Sequence, residues 1–165
     1  MKRIILLLAI TTTFLFQGCT TNEEIKAEIL AEVFEVTTSF NPTNNYSKLI
    51  TLNPPIYNSD MVVVYRLFDV INGQNLWRQL PQAVYLVQGE LDYNFDFTRN
   101  DISLFLESDF DLATLGSAWS QNQVFRVVII PGYFSNKNKK ELDFNDYDAV
   151  VKAYNIKDSQ VKTIQ

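Results

Sequence analysis

The chain has 165 residues, with 14 basic and 19 acidic side chains and a net charge of −5. It contains no histidine and a single cysteine, Cys19. Those absences exclude zinc, iron–sulfur and haem sites built on histidine or thiolate sets, Ser-His-Asp and Cys-His nucleophile systems, and any disulfide within the chain. The acidic balance argues against a nucleic-acid partner, which needs a basic stripe.

Met1-Lys2-Arg3 is a short cationic start, and Ile4 to Phe16 is an apolar run of thirteen residues. A membrane span needs about 20 helical residues to cross a hydrocarbon core of about 30 Å. The run is shorter than that, and Thr11, Thr12 and Thr13 weaken it further. Gln17-Gly18 then leads into Cys19. This is the layout of a secretory signal peptide over residues 1–18. Its end resembles the lipobox of bacterial lipoproteins. Gly18 and Cys19 fit that motif, while Phe16 and Gln17 differ from its commonest residues. The resemblance implies cleavage before Cys19, a diacylglycerol on its sulfur and an acyl chain, such as palmitate, on its amine. It also implies attachment to the outer membrane of the cell envelope. Each buried methylene contributes about 0.8 kcal/mol, so two or more chains hold a protein on a bilayer. The expected partner is therefore the membrane, through the lipid on Cys19. The sequence specifies neither a protein nor a glycan partner, nor which side of the membrane the domain faces.

Removing residues 1–18 leaves 147 residues with a net charge of −7. That length suits one domain, burying about 70% of its unfolded surface in one core. The 12 phenylalanines and 8 tyrosines supply material for it. Residues 19–31 read as a spacer. Thr21-Asn22-Glu23-Glu24 has the form of a capping box, and Ile25, Ile29 and Val33 recur every four residues, which predicts a short helix from Glu23 to about Leu30. Some Bacteroidota lipoproteins carry acidic residues just after the cysteine as a surface-export signal. Glu23 and Glu24 resemble it but stand further from Cys19.

The folded domain is expected over 32–156. Glu32 to Phe40 reads as a strand with Phe34, Val36, Thr38 and Phe40 on one face. Asn41-Pro42-Thr43-Asn44-Asn45 is a turn cluster, and Tyr46 to Leu52 is a second strand that Asn53-Pro54-Pro55 ends. Met61 to Val70 is apolar on both faces, which belongs in a sheet interior. Asn72-Gly73 is the strongest hairpin signal in the chain. Leu76 to Leu80 and Ala83 to Val87 follow, separated by Pro81. Glu90 to Phe97 alternates, with Leu91, Tyr93, Phe95 and Phe97 facing in. Asp101 to Glu107 places Ile102, Leu104 and Leu106 inward. Asp109 to Gln121 is expected to be a long loop, and Gln123 to Ile130 a strong last strand. Asn145 is expected to cap a helix from Asp146 to Tyr154, docked by Ala149, Val150 and Ala153. Residues 157–165 read as a frayed tail.

About eight short strands at regular spacing with one late helix predict an all-β fold. The expected architecture is an antiparallel β-sandwich, immunoglobulin-like, with one short C-terminal helix. Val63–Arg66, Gln121–Arg126 and Asp143–Tyr147 also resemble segments of small uncharacterised Bacteroidota lipoproteins. That resemblance implies a fold and a location and no activity.

Three features invite a chemical reading. The first is the strip Glu90, Asp92 and Asp96. Alternate residues on a strand stand about 6.8 Å apart, within the range of about 5–9.5 Å for glycosidase carboxylate pairs. A working pair also needs a cleft and one acid of raised pKa, so the strip reads as a solvated face. The second is Asp143-Phe144-Asn145-Asp146-Tyr147-Asp148, which is oxygen-rich. It has Asp148 and Tyr154 where a calcium loop needs Gly and Glu, and reads as a helix start. The third is Asp109-Phe110-Asp111, a loop with Phe110 tucked inward. Trp77, Trp119 and the tyrosines read as core residues, with a sugar-stacking surface as the alternative. No catalytic, cofactor-binding or metal-ligating residue is assigned, and Cys19 is the one modification site. The expectation is a lipid-anchored envelope domain with a structural or binding role and no enzymatic activity. A surface carbohydrate- or peptide-binding module is the alternative, and a hydrolase using carboxylates alone is a third reading.

Overall fold

The computed structural model describes residues 31–132, 142–157, 159 and 161–164. The signal segment, Cys19 and the short helix expected after it lie outside those residues. The described chain forms two sheets packed face to face, an all-β sandwich with a short late helix. The described residues form nine strands: β1 (Glu32–Thr38), β2 (Ser47–Thr51), β3 (Met61–Ile71), β4 (Gln74–Gln79), β5 (Gln82–Leu86), β6 (Gly89–Phe97), β7 (Asp101–Ser108), β8 (Gln123–Ile130) and β9 (Lys162–Ile164). One sheet has the order β4-β3-β8-β1-β9 and the other β2-β7-β6-β5. All pairings are antiparallel except β9 on β1.

Local chemistry sets the connections. Asn72 and Gly73 both adopt positive φ, 51° and 78°, the geometry a two-residue hairpin loop needs, and β3 turns into β4 there. Leu80 and Pro81 carry the chain from the edge of one sheet to the edge of the other, because proline has no N–H to continue a ladder. Gly89 opens β6 at φ 144°, where an added Cβ would stand 2.0 Å from Asp109 Oδ1. That same oxygen accepts the Glu90 N–H at 2.8 Å, so glycine lets the loop after β7 close on the β5–β6 turn.

Between the sheets lies the main core, built on Val36, Phe40, Ile50, Val64, Leu91, Tyr93, Ile102, Leu104, Phe125 and Val127. Phe40, Tyr93 and Phe125 meet edge-on or tilted, with centroids 5.9–6.4 Å apart. A second cluster covers the outer face of the five-stranded sheet. It joins Val33, Val63, Tyr65, Trp77, Val128 and Ile130 to Val150 on the late helix, with Phe144, Tyr147 and Tyr154 against it. β3 and β8 are apolar on both faces because each face has its own cover.

Four expectations are corrected. Asp109 to Gln121 is not one loop: it holds a 3₁₀ turn (Leu112–Thr114) and a one-turn helix α1 (Ser117–Ser120). Asp111 Oδ1 caps the 3₁₀ turn through Ala113 N, and single turns leave no periodicity for a sequence to display. The late helix α2 is Tyr147–Ala153, and its cap is Asp146, not Asn145. Asp146 Oδ1 accepts from Ala149 N at 3.0 Å. Val150 is fully buried and Tyr147 half-buried, whereas Ala153 is exposed. The tail is not simply frayed, since Lys162–Ile164 adds a parallel strand to β1. Finally, Phe97 is 43% exposed, because β6 runs past the covered part of the core, whereas Phe95 is half-buried and packs against that core as expected.

The register also gives the domain two ends. Glu32 pairs with Ile129 and Met61 with Ile130, so β1 begins where β3 begins and β8 finishes. The Asn72–Gly73 turn lies beyond the opposite end of β3.

Candidate functional site

The outer face of the five-stranded sheet carries the cleft with the most varied chemistry. β8 places Arg126 directly across from Glu35 on β1. Arg126 Nε and Nη2 both donate to Glu35 Oε1, at 2.9 and 2.6 Å. Its guanidinium lies 4.4 Å from the centre of the Trp77 ring on β4 and 5.3 Å from that of Tyr147 on α2. Arg126 Nη1 donates to Tyr147 Oη. Burial of Arg126 works against its charge, but the hydrogen bonds to Tyr147 and Glu35 outweigh it and hold its pKa above the usual arginine value. Tyr147 packs edge-on against Tyr65 at 4.9 Å, and Tyr65 Oη donates to Phe144 O at 2.8 Å. Desolvation, reinforced by neighbouring Tyr147, pushes the Tyr65 phenol well above its ordinary pKa.

Above this platform opens a cleft of about 430 Å³, lined by Gly73, Gln74, Asn75, Trp77, Arg126, Tyr147 and Asp148. One wall is the start of β4 and the other the first turn of α2. The cleft therefore offers amides, one guanidinium and one carboxylate around aromatic edges. A second recess, of about 590 Å³, lies along the same seam, lined by Gln79, Leu142, Asp143, Phe144 and Asn145. Asp143 Oδ1 accepts from both the backbone and side-chain nitrogens of Asn145, at 2.9 and 3.0 Å. Those bonds hold the Asp143 carboxyl below its usual pKa.

The inner face of the same sheet carries a second arginine. Arg66 on β3 is 3% exposed, and no carboxylate pairs with it among the described residues. Its Nε and Nη2 donate to Gln123 Oε1 at 2.9 and 2.6 Å, and its Nη1 is 3.4 Å from Gln82 Oε1. The guanidinium lies 4.1 Å from the centre of the Tyr93 ring. Burial lowers the Arg66 pKa and raises that of Tyr93 to about 12.

No protein-family model, no curated protein and no solved structure matches this chain.

The residues singled out by sequence fall in different places. Glu90, Asp92 and Asp96 lie on the outward face of β6, half-exposed or exposed, away from both arginines. Asp143 and Asp146 are spent on a turn and a helix cap, and the described residues contain no cluster of three acidic or thiol ligands. Phe110 packs against the main core, as expected for Asp109-Phe110-Asp111. Trp77 is 8% exposed beneath Arg126, and Trp119 is half-buried against the main core. Neither offers a flat sugar platform. Among the described residues, no helix is long and apolar enough to cross a membrane. Sequence reasoning passed over Arg66, Arg126, Gln74, Gln82 and Gln123. The one available signal was an arginine inside each of two apolar strands, Val62–Arg66 and Val124–Ile130, where a charge is costly.

Proposed function

We propose that this chain is a lipid-anchored cell-envelope domain that binds a polar ligand in the Arg126 cleft and does not catalyse a reaction. The anchor is the acylated Cys19, in line with the lipobox-like Gly18-Cys19. The observation that carries the binding role is the fixed Arg126, ion-paired to Glu35 and set between Trp77 and Tyr147, at the floor of a cleft rimmed by Gln74, Asn75 and Asp148. Rigid aromatic and guanidinium groups with a few oriented amides suit a hydroxyl- or amide-bearing ligand such as a surface glycan. Its rim reaches the Asn72–Gly73 turn, at the end of the sheet opposite the start of β1. A tether preceding β1 would leave that rim facing away from the membrane.

A carboxylate hydrolase is the weaker reading. Glycoside hydrolysis needs two converging carboxyl groups. Among the described residues Asp148 is the only carboxylate lining this cleft, and nearby Glu35 is held by Arg126.

Two measurements test the proposal. Intact mass and detergent-phase partitioning of the full chain should show acylation that Cys19→Ala abolishes. A mature protein with an unmodified Cys19 would overturn the anchor. Glycan-array binding by the full chain should be lost in the Gln74→Ala/Asn75→Ala variant with folding intact. Absence of binding in the parent, or binding unchanged in the variant, would overturn the ligand class.

A further inference from the structure

We propose that Arg66, Gln82 and Arg78 form a second binding site, for a single carboxylate group, between the sheets on the inner side of β3 and β4. This site is separate from the Arg126 cleft and does not depend on it.

Charges and donors around Arg66 are out of balance. Arg66 is buried, and the acceptors it meets are neutral amide oxygens of Gln123 and Gln82. A buried charge ordinarily has a counter-charge, because the desolvation cost is several kcal/mol. Gln82 sharpens the imbalance. It is 7% exposed, and among the described residues its Nε2 is a buried donor with no partner. Turning the amide around would point Nε2 at the donating Arg66 Nη1 and lose the Gln82 Oε1 contact. Gln123 is fixed in turn by its own Nε2, which donates to Ala118 O and Gln121 O at 3.0 and 2.8 Å. The guanidinium is therefore held in place from one side, by Gln123, with the Tyr93 ring 4.1 Å away.

A second cation stands beside it. Arg78 is the cross-strand partner of Arg66 in the β3–β4 ladder. A register shift between Leu67 and Asp69 puts Phe68 out of pairing, and the Phe68 ring takes the Arg78 guanidinium at 3.3 Å and that of Arg66 at 6.0 Å. Arg78 is exposed, so the site has a deep end at Arg66 and Gln82 and a rim at Arg78 and Phe68. Two guanidinium groups and one spare amide N–H give this corner more donors than the two glutamine oxygens satisfy. A carboxylate has acceptor-only oxygens and pairs with arginine in two-pronged fashion. Burial of Arg66 and Gln82 limits what enters to one small planar group, so the rest of such a ligand lies outside, against Phe68.

Acetate is the probe. The full chain in detergent micelles is titrated with sodium acetate, chloride or sulfate at matched ionic strength. Thermal unfolding and the Gln82 side-chain amide resonances are followed. Acetate is expected to raise the midpoint saturably, by about 5 °C well above its dissociation constant, and to shift the Gln82 Nε2 protons. Gln82→Met, which keeps the volume and removes the donor, should abolish both effects, and Arg78→Gln should weaken them. Three results would overturn the proposal: equal responses to chloride and acetate, an acetate response retained in Gln82→Met, or no saturable response at all. The last would mean that water satisfies Gln82. Arg126→Met should leave the acetate response intact, which keeps this test apart from that of the outer cleft.

Discussion

Arg66 and Arg126 stand diagonally across the β3–β8 ladder, where Tyr65 faces Arg126 and Arg66 faces Phe125, yet they project from opposite faces of the sheet. Their solutions to burial differ. Arg126 has an ion pair, 2.6 Å long, to Glu35. Arg66 has two glutamines and an aromatic ring. One sheet thus carries one compensated and one uncompensated cation, and the difference is measurable.

Gln123→Leu should cost about 3 kcal/mol, because it strips the buried guanidinium of its best acceptor. Arg66→Met should cost about 1–3 kcal/mol, since it removes the charge and its desolvation but leaves the buried Oε1 atoms of Gln123 and Gln82 without their donor. The double variant should lie close to Arg66→Met. Denaturant unfolding of the three variants gives the coupling energy, and strict additivity would show that the contact matters little.

Glu35→Gln should destabilise by about 1.5–3 kcal/mol, the range for hydrogen bonds to a charged group. Arg126 and Glu35 expose only 7% and 23% of their side chains, so added salt should close little of the gap. A loss below about 0.5 kcal/mol would put the pair with ordinary surface bridges.

Phe125→Ala should cost about 3–5 kcal/mol, because a 1%-exposed ring leaves a cavity. Phe95→Ala should cost roughly half as much, since that ring is only half-buried. Replacing Glu90, Asp92 and Asp96 by their amides should change stability by no more than about 0.5 kcal/mol each. The sign at Asp92 should be favourable: it faces Glu107 across β6 and β7, and like charges directly opposite repel. A gain of several kcal/mol from the triple change would mark the strip as a strained functional site.

Alkaline pH should unfold the domain. The Tyr93 phenol is raised by burial from 10.0 to about 12, and that of Tyr65 is raised further in the same direction. A raised folded-state value means that the native state holds the proton more tightly than the unfolded chain does. The associated stability is complete below pH 10 and declines as pH climbs toward 12 and beyond. Unfolding free energy measured across that window should fall steeply in the parent and less so in Tyr93→Phe. Equal slopes would refute the assignment to Tyr93.

Much of the architecture was legible in the chain. Alternation fixed the inward sets of β6 and β7 at Leu91, Tyr93, Ile102, Leu104 and Leu106, because a strand buried on one face repeats every two residues. Asn72-Gly73 marked its hairpin, because few pairs tolerate two positive φ values. The absence of histidine, and of cysteine beyond Cys19, bounded the chemistry before any fold was known. What only the tertiary structure decided was which residues share a site. Glu35, Trp77, Arg126 and Tyr147 come from four separated stretches, and strand register brings them together. Arg66, Gln82 and Gln123 meet because β3 and β8 pair in one sheet and β5 lies in the opposing one. Contacts between distant stretches depend on pairing and packing, and neither leaves a local period in the sequence. The lone turns α1 and Leu112–Thr114, and the late addition of Lys162–Ile164 beside β1, escaped for the same reason.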